Sequence, residues 1–215
     1  MDSSKNIAPY LIILSTLGYG LNILFQRYLT HHLEPHIYGD FAIGINVLEI
    51  VVTLLLLGTE LSVIKFLPLF TKEQDELIFF RWNLAFLKKP LLLFLFFLAI
   101  ASLVFFILQD QFESFLKEEL HISLTMLFIA PFSMFYALFL SYLDAKSKVL
   151  QASLINSVAR YIFLFLFFML TLSISTINPT TIVLIYSATY TILAFVTLKI
   201  YTHKSTSINL LESFF

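Results

Sequence analysis

Residues 91–100 read LLLFLFFLAI, ten apolar positions without a polar interruption. A strand in a closed barrel alternates between lipid and lumen, so its sequence alternates with period two. This run does not alternate, and a helix apolar on every side belongs in lipid or deep inside a large core. The whole chain has the same character. Of 215 residues, 59% are apolar and 13% charged, with 25 phenylalanines and no cysteine; the mean hydropathy is +0.90. Soluble domains carry roughly 45–50% apolar and about 25% charged residues. A 24.8 kDa globule has too much surface for its core to hide that excess. Soluble, disordered, collagenous and disulfide-stapled classes are excluded. What remains is an all-α polytopic membrane bundle.

Working outward from that run, a span needs about 20 mostly apolar residues to cross about 30 Å of hydrocarbon. Six stretches qualify: about 7–29, 37–66, 90–108, 121–143, 154–173 and 180–201. Together they predict one six-helix unit over residues 1–215. Pro90 suits the first turn of the third span, where its missing N–H is no loss, and Pro131 predicts a kink in the fourth. The first stretch is too long for a secretory signal and lacks a small-residue cleavage site, so it reads as a retained span. Lysines and arginines set the orientation. With the N-terminus in the cytoplasm, ten basic residues (Lys5, Lys65, Lys72, Arg81, Lys88, Lys89, Lys146, Lys148, Lys199 and Lys204) lie inside. Only Arg27 and Lys117 lie outside, and Arg160 falls within the fifth span. The expectation is a multi-pass protein of the cell inner (plasma) membrane with both termini cytoplasmic.

The loops predict little more. Residues 109–120 (QDQFESFLKEEL) and the 67–89 segment, with Phe80, Leu84 and Leu87 on one face beside Trp82, read as short interfacial helices. His31, His32 and His36 read as solvated loop residues.

Polar residues within spans are costly and therefore informative. Ser15, Gly18, Asn22 and Gln26 share one face of the first span. Small residues form rows at Ser133, Ala137 and Ser141 and at Ser187, Thr191 and Ala194, as expected where helices approach closely. Ser153, Asn156, Ser157 and Arg160 cluster at the start of the fifth span. Glu49 and Glu60 are eleven residues apart, about 20° off a common face at about 100° per residue. Asn46 and Thr53 flank Glu49. A carboxylate at a helix centre costs at least about 2.5–3.5 kcal/mol, so Glu49 must face protein or water. It reads as a cation, proton or substrate contact, or as a structural partner of an arginine such as Arg160. Arg27 and Arg160 can grip phosphate oxygens with paired hydrogen bonds, or else snorkel towards the interface. The chain has no Walker loop, GxGxxG, HExxH or cysteine nucleophile. It is read as a non-enzyme, with no cofactor, metal or nucleic acid called for.

Arg27-Tyr28-Leu29, then Tyr38-Gly39-Asp40-Phe41, then Leu57-Gly58-Thr59-Glu60-Leu61-Ser62-Val63-Ile64-Lys65-Phe66 form a further pattern. It resembles the N-terminal part of the oligosaccharide flippases of the MOP superfamily, the Wzx-type polysaccharide biosynthesis membrane proteins. Their patches run R-x-L-G, Y-G-x-[YF] and G-[LFT]-E/D-x-[AS]-x-x-[RK]-[FY]. The resemblance is clearest over residues 10–70. Thr30 stands where the family's first patch has glycine. Family members also have twelve to fourteen spans in two lobes, and this chain supplies one. The resemblance implies alternating-access translocation of a lipid-linked oligosaccharide, as in lipopolysaccharide O-antigen assembly, through a basic cavity suited to a diphosphate carrier. It carries substrate contacts onto Arg27, Glu60 and Lys65. Glu49, Arg160, Asn22 and Gln26 join them from the reading of the spans themselves. The missing lobe implies a fragment, a second polypeptide or a homodimer, and the competing expectation is a non-transporting scaffold of a glycan-synthesis complex.

Overall fold

A computed structural model describes residues 7–112, 125–146, 148–172 and 179–202. Among them there is no strand. Helix α1 spans Ile7–His32, α2 Pro35–Leu56, α3 Thr59–Phe66 and α4 Glu73–Phe112. Helix α5 (Ala130–Ala145) follows a 3₁₀ turn at Leu127–Ile129. A short α6 (Val149–Ser153) runs through a π turn (Leu154–Ala159) into α7 (Arg160–Leu172), and α8 is Pro179–Thr202. Six helical stretches are long and apolar enough to cross a membrane. The 113–120 part of the acidic 109–120 segment lies outside the described residues, as do Lys5, Lys117 and Lys204.

The elements correct the expected boundaries in four places. The 37–66 stretch is not one helix. It breaks at Leu57 (φ 48°) and Gly58 (φ 76°), both in the left-handed region, so Glu49 and Glu60 occupy separate helices and their common face disappears. Pro90 lies inside the 40-residue α4 rather than at its start. Forty residues cover about 60 Å, roughly twice the hydrocarbon thickness, so the charged first half of α4 extends beyond the span. The predicted face there is real but its partner is protein: Phe80 and Leu87 are fully buried, and Phe80 packs on Tyr142 and Tyr201, with ring centroids 5.0 and 5.9 Å away. Trp82 points outward. Pro131 lies in the first turn of α5, directly after the 3₁₀ turn, and so marks a helix start instead of a mid-helix kink. His31 and His32 form the last turn of α1, and His36 lies in the first turn of α2.

Helix α5 is the axis of the bundle. Half of its span is buried, and it packs chiefly on α8, then on α2 and α3. Helix α1 lies across the π turn and α7. Lipid tails offer no hydrophobic drive for this packing, so close approach and hydrogen bonds carry it. A Cβ on Gly18 would sit 2.5 Å from the Cβ of Ser157 in the π turn. The small residues read from the sequence are thus partly explained: Gly18 is where α1 touches. Thr189 and Thr197 are buried in α8 and satisfy their hydroxyls by donating to the carbonyls of Ile185 and Leu193, both at 2.8 Å. At the lower end, if the N-terminal side of α1 is taken as down, Asn83 Nδ2 donates to Tyr142 Oη (2.8 Å) and Lys146 pairs with Glu76 (2.5 Å). Lys148 Nζ donates to the carbonyl of Ile200 in the last turn of α8 (2.5 Å), where orphan carbonyls and the helix dipole both favour a cation.

Candidate functional site: a polar cluster around Arg160

The π turn fixes the position of Arg160. The preceding helix begins at Val149, so Arg160 lies eleven residues into the continuous Val149–Thr171 span, about 16 Å along it. That is the middle of this candidate span, whereas a span begun at residue 154 puts Arg160 near its end. An inserted residue in the helical ladder is also how an α-helix re-aims a side chain. The side chain is largely enclosed. Its Nη2 donates to Tyr161 Oη at 2.8 Å, and the guanidinium carbon lies 4.8 Å from the Tyr161 ring centroid. Tyr190 of α8 lies within electrostatic reach of the same group. The Tyr190 ring packs at a tilt against Tyr136 of α5 (5.5 Å) and Tyr186 (6.2 Å). Tyr136 in turn donates to Asn156 Oδ1 in the π turn (3.2 Å). Aromatic faces stabilise a desolvated guanidinium by about 2 kcal/mol or more.

Two things are left over. Arg160 Nε is buried with no hydrogen-bond partner, a donor whose desolvation costs about 1–3 kcal/mol when unmet. Among the described residues, no carboxylate forms an ion pair with Arg160. Glu49 is close enough to act electrostatically on Tyr190, yet it does not pair with Arg160, so the structural-partner reading of Glu49 is not realised as a salt bridge.

The other sequence-flagged residues fall in three groups. Asn22 and Gln26 of α1 do come together: Gln26 Nε2 donates to Asn22 Oδ1 (3.5 Å), and Tyr38 of α2 donates to Gln26 Oε1 (2.9 Å). Asn46, Glu49 and Thr53 line a shallow 380 Å³ hollow with Ile50 and Leu54, and all three polar groups are exposed. A polar stripe therefore opens outward from the middle of α2. Glu60 and Lys65 sit apart on α3. Glu60 Oε2 is buried without a partner, and Lys65 is exposed, 5.4 Å from the Phe66 ring. Arg27 is exposed at the far end of α1 and belongs to a different feature, an α1–α7 groove. The tyrosines were missed from the sequence. Tyr186 and Tyr190 stand at i and i+4 on α8, a usable signal that was drowned by 25 phenylalanines and 10 tyrosines in the chain.

Comparison of the chain with protein-family models, with curated proteins and with solved structures finds no match.

Proposed function

We propose that this chain is one lobe of a membrane transporter that moves a lipid-linked oligosaccharide across the inner (plasma) membrane by alternating access. The observation that carries the reading is Arg160: a guanidinium in the middle of its candidate span, held by tyrosines, unpaired with any described carboxylate and keeping one N–H unspent. A diphosphate carrier lipid presents oxygens that such a donor recognises. The hydroxyls of Tyr161 and Tyr190 would hold the guanidinium in place while it exchanges partners. Glu49, with Asn46 and Thr53, forms the second support. A polar stripe exposed at mid-span is costly against lipid, but not against a water-filled path or the matching face of a second lobe, supplied by another chain or a second copy. In this reading both termini are cytoplasmic, Asn22 and Gln26 line the approach, and Arg27, Glu60 and Lys65 act at the two ends of the path.

The test is transport of a fluorescent lipid-linked glycan in proteoliposomes, with the chain alone and with any second lobe supplied. Replacing Arg160 by glutamine removes a charged hydrogen bond worth about 1.5–3 kcal/mol, so transport should fall by at least about tenfold at unchanged membrane level. Normal insertion without any glycan movement would instead support the scaffold reading. Water access separates the two readings independently. Cysteines introduced at Ser15, Asn22 and Asn46 should react with polar thiol reagents if a lumen exists, and uniform protection would favour the scaffold.

A further inference from the structure

Helices α1 and α7 touch along their length in parallel register. Gly18 meets Ser157, Phe25 meets Tyr161 and Phe168 (ring centroids 6.4 and 5.4 Å), and Tyr28 meets Phe165 (4.9 Å) and Met169 (3.4 Å from Tyr28 Oη to sulfur). On the outward side of this seam lies an open groove of about 820 Å³, within the range of roughly 300–1,000 Å³ that small-molecule sites occupy. The groove is graded from one end to the other. Its inner end is formed by Leu21 and Tyr161, at the level of the Arg160 cluster, and its walls by Leu24, Ile162, Phe165 and Leu166. Its far end, at the last turn of α1, is formed by Arg27, His31 and His32.

The polar end is organised. His32 Nδ1 lies 2.9 Å from the Tyr28 carbonyl; a carbonyl only accepts, so this nitrogen carries the proton. The His32 ring lies tilted against Tyr28 at 4.3 Å and meets His31 edge-on at 5.3 Å. Arg27 is exposed, and among the described residues no carboxylate pairs with it. A cation and two imidazoles therefore sit at one end of an open, mostly apolar trough between α1 and α7. Neither end alone would select a ligand. Together they match a molecule with an anionic head at the interface and a hydrocarbon tail directed towards the bilayer centre.

We propose that the α1–α7 groove is a binding site for an anionic phospholipid of the bilayer, its phosphate held by Arg27 and the two histidines and one acyl chain laid along Leu24, Ile162, Phe165 and Leu166. Charge complementarity selects this occupant over a second protein helix, which would leave Arg27 without an anion. The site shares Arg27 with one end of the proposed glycan-lipid path but is otherwise built from other residues, and it stands whether or not that reading holds. A second link is Tyr161, which lines the inner end of the groove and receives the Arg160 hydrogen bond on its hydroxyl.

Native mass spectrometry of the full chain, titrated in mild detergent with phosphatidylglycerol or phosphatidylcholine of equal chain length, tests the site. One phosphatidylglycerol should bind about tenfold more tightly than phosphatidylcholine, equivalent to about 1.4 kcal/mol. Arg27→Gln should abolish that preference, and Arg27→Lys should retain most of it. Leu166→Trp, which fills the trough, should weaken both lipids. A joint His31→Ala and His32→Ala variant, altered only at an exposed helix end, should lose part of the preference and gives a reading that does not depend on the fold tolerating Arg27→Gln. Equal affinity for the two lipids in the unaltered chain, or a preference untouched by both Arg27→Gln and the histidine variant, would overturn the proposal. Displacement of phosphatidylglycerol by millimolar inorganic phosphate would also overturn it, since the groove would then be an anion site without a lipid tail.

Discussion

Gly18 shows how one missing methyl group sets the distance between two helices. A Cβ there would lie 2.5 Å from both the Cβ and the carbonyl oxygen of Ser157, and one of these is backbone that cannot swing away. Gly18→Ala should therefore push α1 off the π turn. The cost expected of such overpacking is about 1–3 kcal/mol, read as a lower unfolding temperature in detergent, while Gly20→Ala, which meets nothing within 4 Å, should be neutral or slightly stabilising. The pair makes an internal control. The sequence placed Gly18 on the right face, because small residues at helical spacing mark close approach. It could not give Ser157 as the partner, since that contact depends on the extra residue of the π turn. Arg160 followed the same pattern. Its chemistry was legible, but its depth was not, because hydropathy started the fifth span at residue 154 and the helix starts at Val149.

At the scale of elements, the break at Leu57–Gly58 is invisible to hydropathy. Residues 37–66 are apolar almost throughout, and apolarity carries no information about φ. What ends α2 is backbone geometry: the Leu57 N–H donates to the Thr53 carbonyl (3.2 Å) while Leu57 and Gly58 both take left-handed angles, and α3 then restarts with Glu60 in its first turn. Glycine adopts that conformation without penalty and other residues do not. Gly58→Ala should destabilise the protein by about 1 kcal/mol or more, although its Cβ would meet nothing within 4 Å. Leu57→Gly relieves the same strain and should offset that loss by removing a side chain that is itself exposed. Thermal unfolding of the two single variants and the double variant measures both effects. If Gly58→Ala is neutral, the break is held by packing of α3 on α5 and not by the left-handed pair.

For the whole molecule, six helices and their apolar surface were legible because lipid imposes length and polarity on every span. The arrangement was not legible, because it rests on a few polar and aromatic contacts between distant residues. Helix α4 is the clearest case. Above Pro90 it is largely exposed apolar surface, including Leu92, Leu93, Phe96, Phe97 and Phe106, and its tie to the bundle is concentrated below. There Phe80 sits between Phe139 and Tyr201, Asn83 hydrogen-bonds Tyr142, and Glu76 pairs with Lys146, whose ammonium also lies 4.8 Å from the Tyr201 ring. The Glu76 and Lys146 side chains are only 20% and 26% exposed, so their pairing is less screened than a surface ion pair, which yields about 0–1 kcal/mol. Removing one partner strands the other charge against aromatic rings. Glu76→Gln and Lys146→Met should each destabilise the docking of α4 by about 1–3 kcal/mol. The double variant should cost less than the sum of the two, with a coupling of at least about 1 kcal/mol between them. Protease cleavage in the 70–89 segment reads this directly, because undocking exposes that stretch while the spans stay embedded. Equal cleavage in all four proteins would place the hold on α4 in the Phe80 and Asn83 contacts alone, and Asn83→Leu would then be the variant that frees the helix.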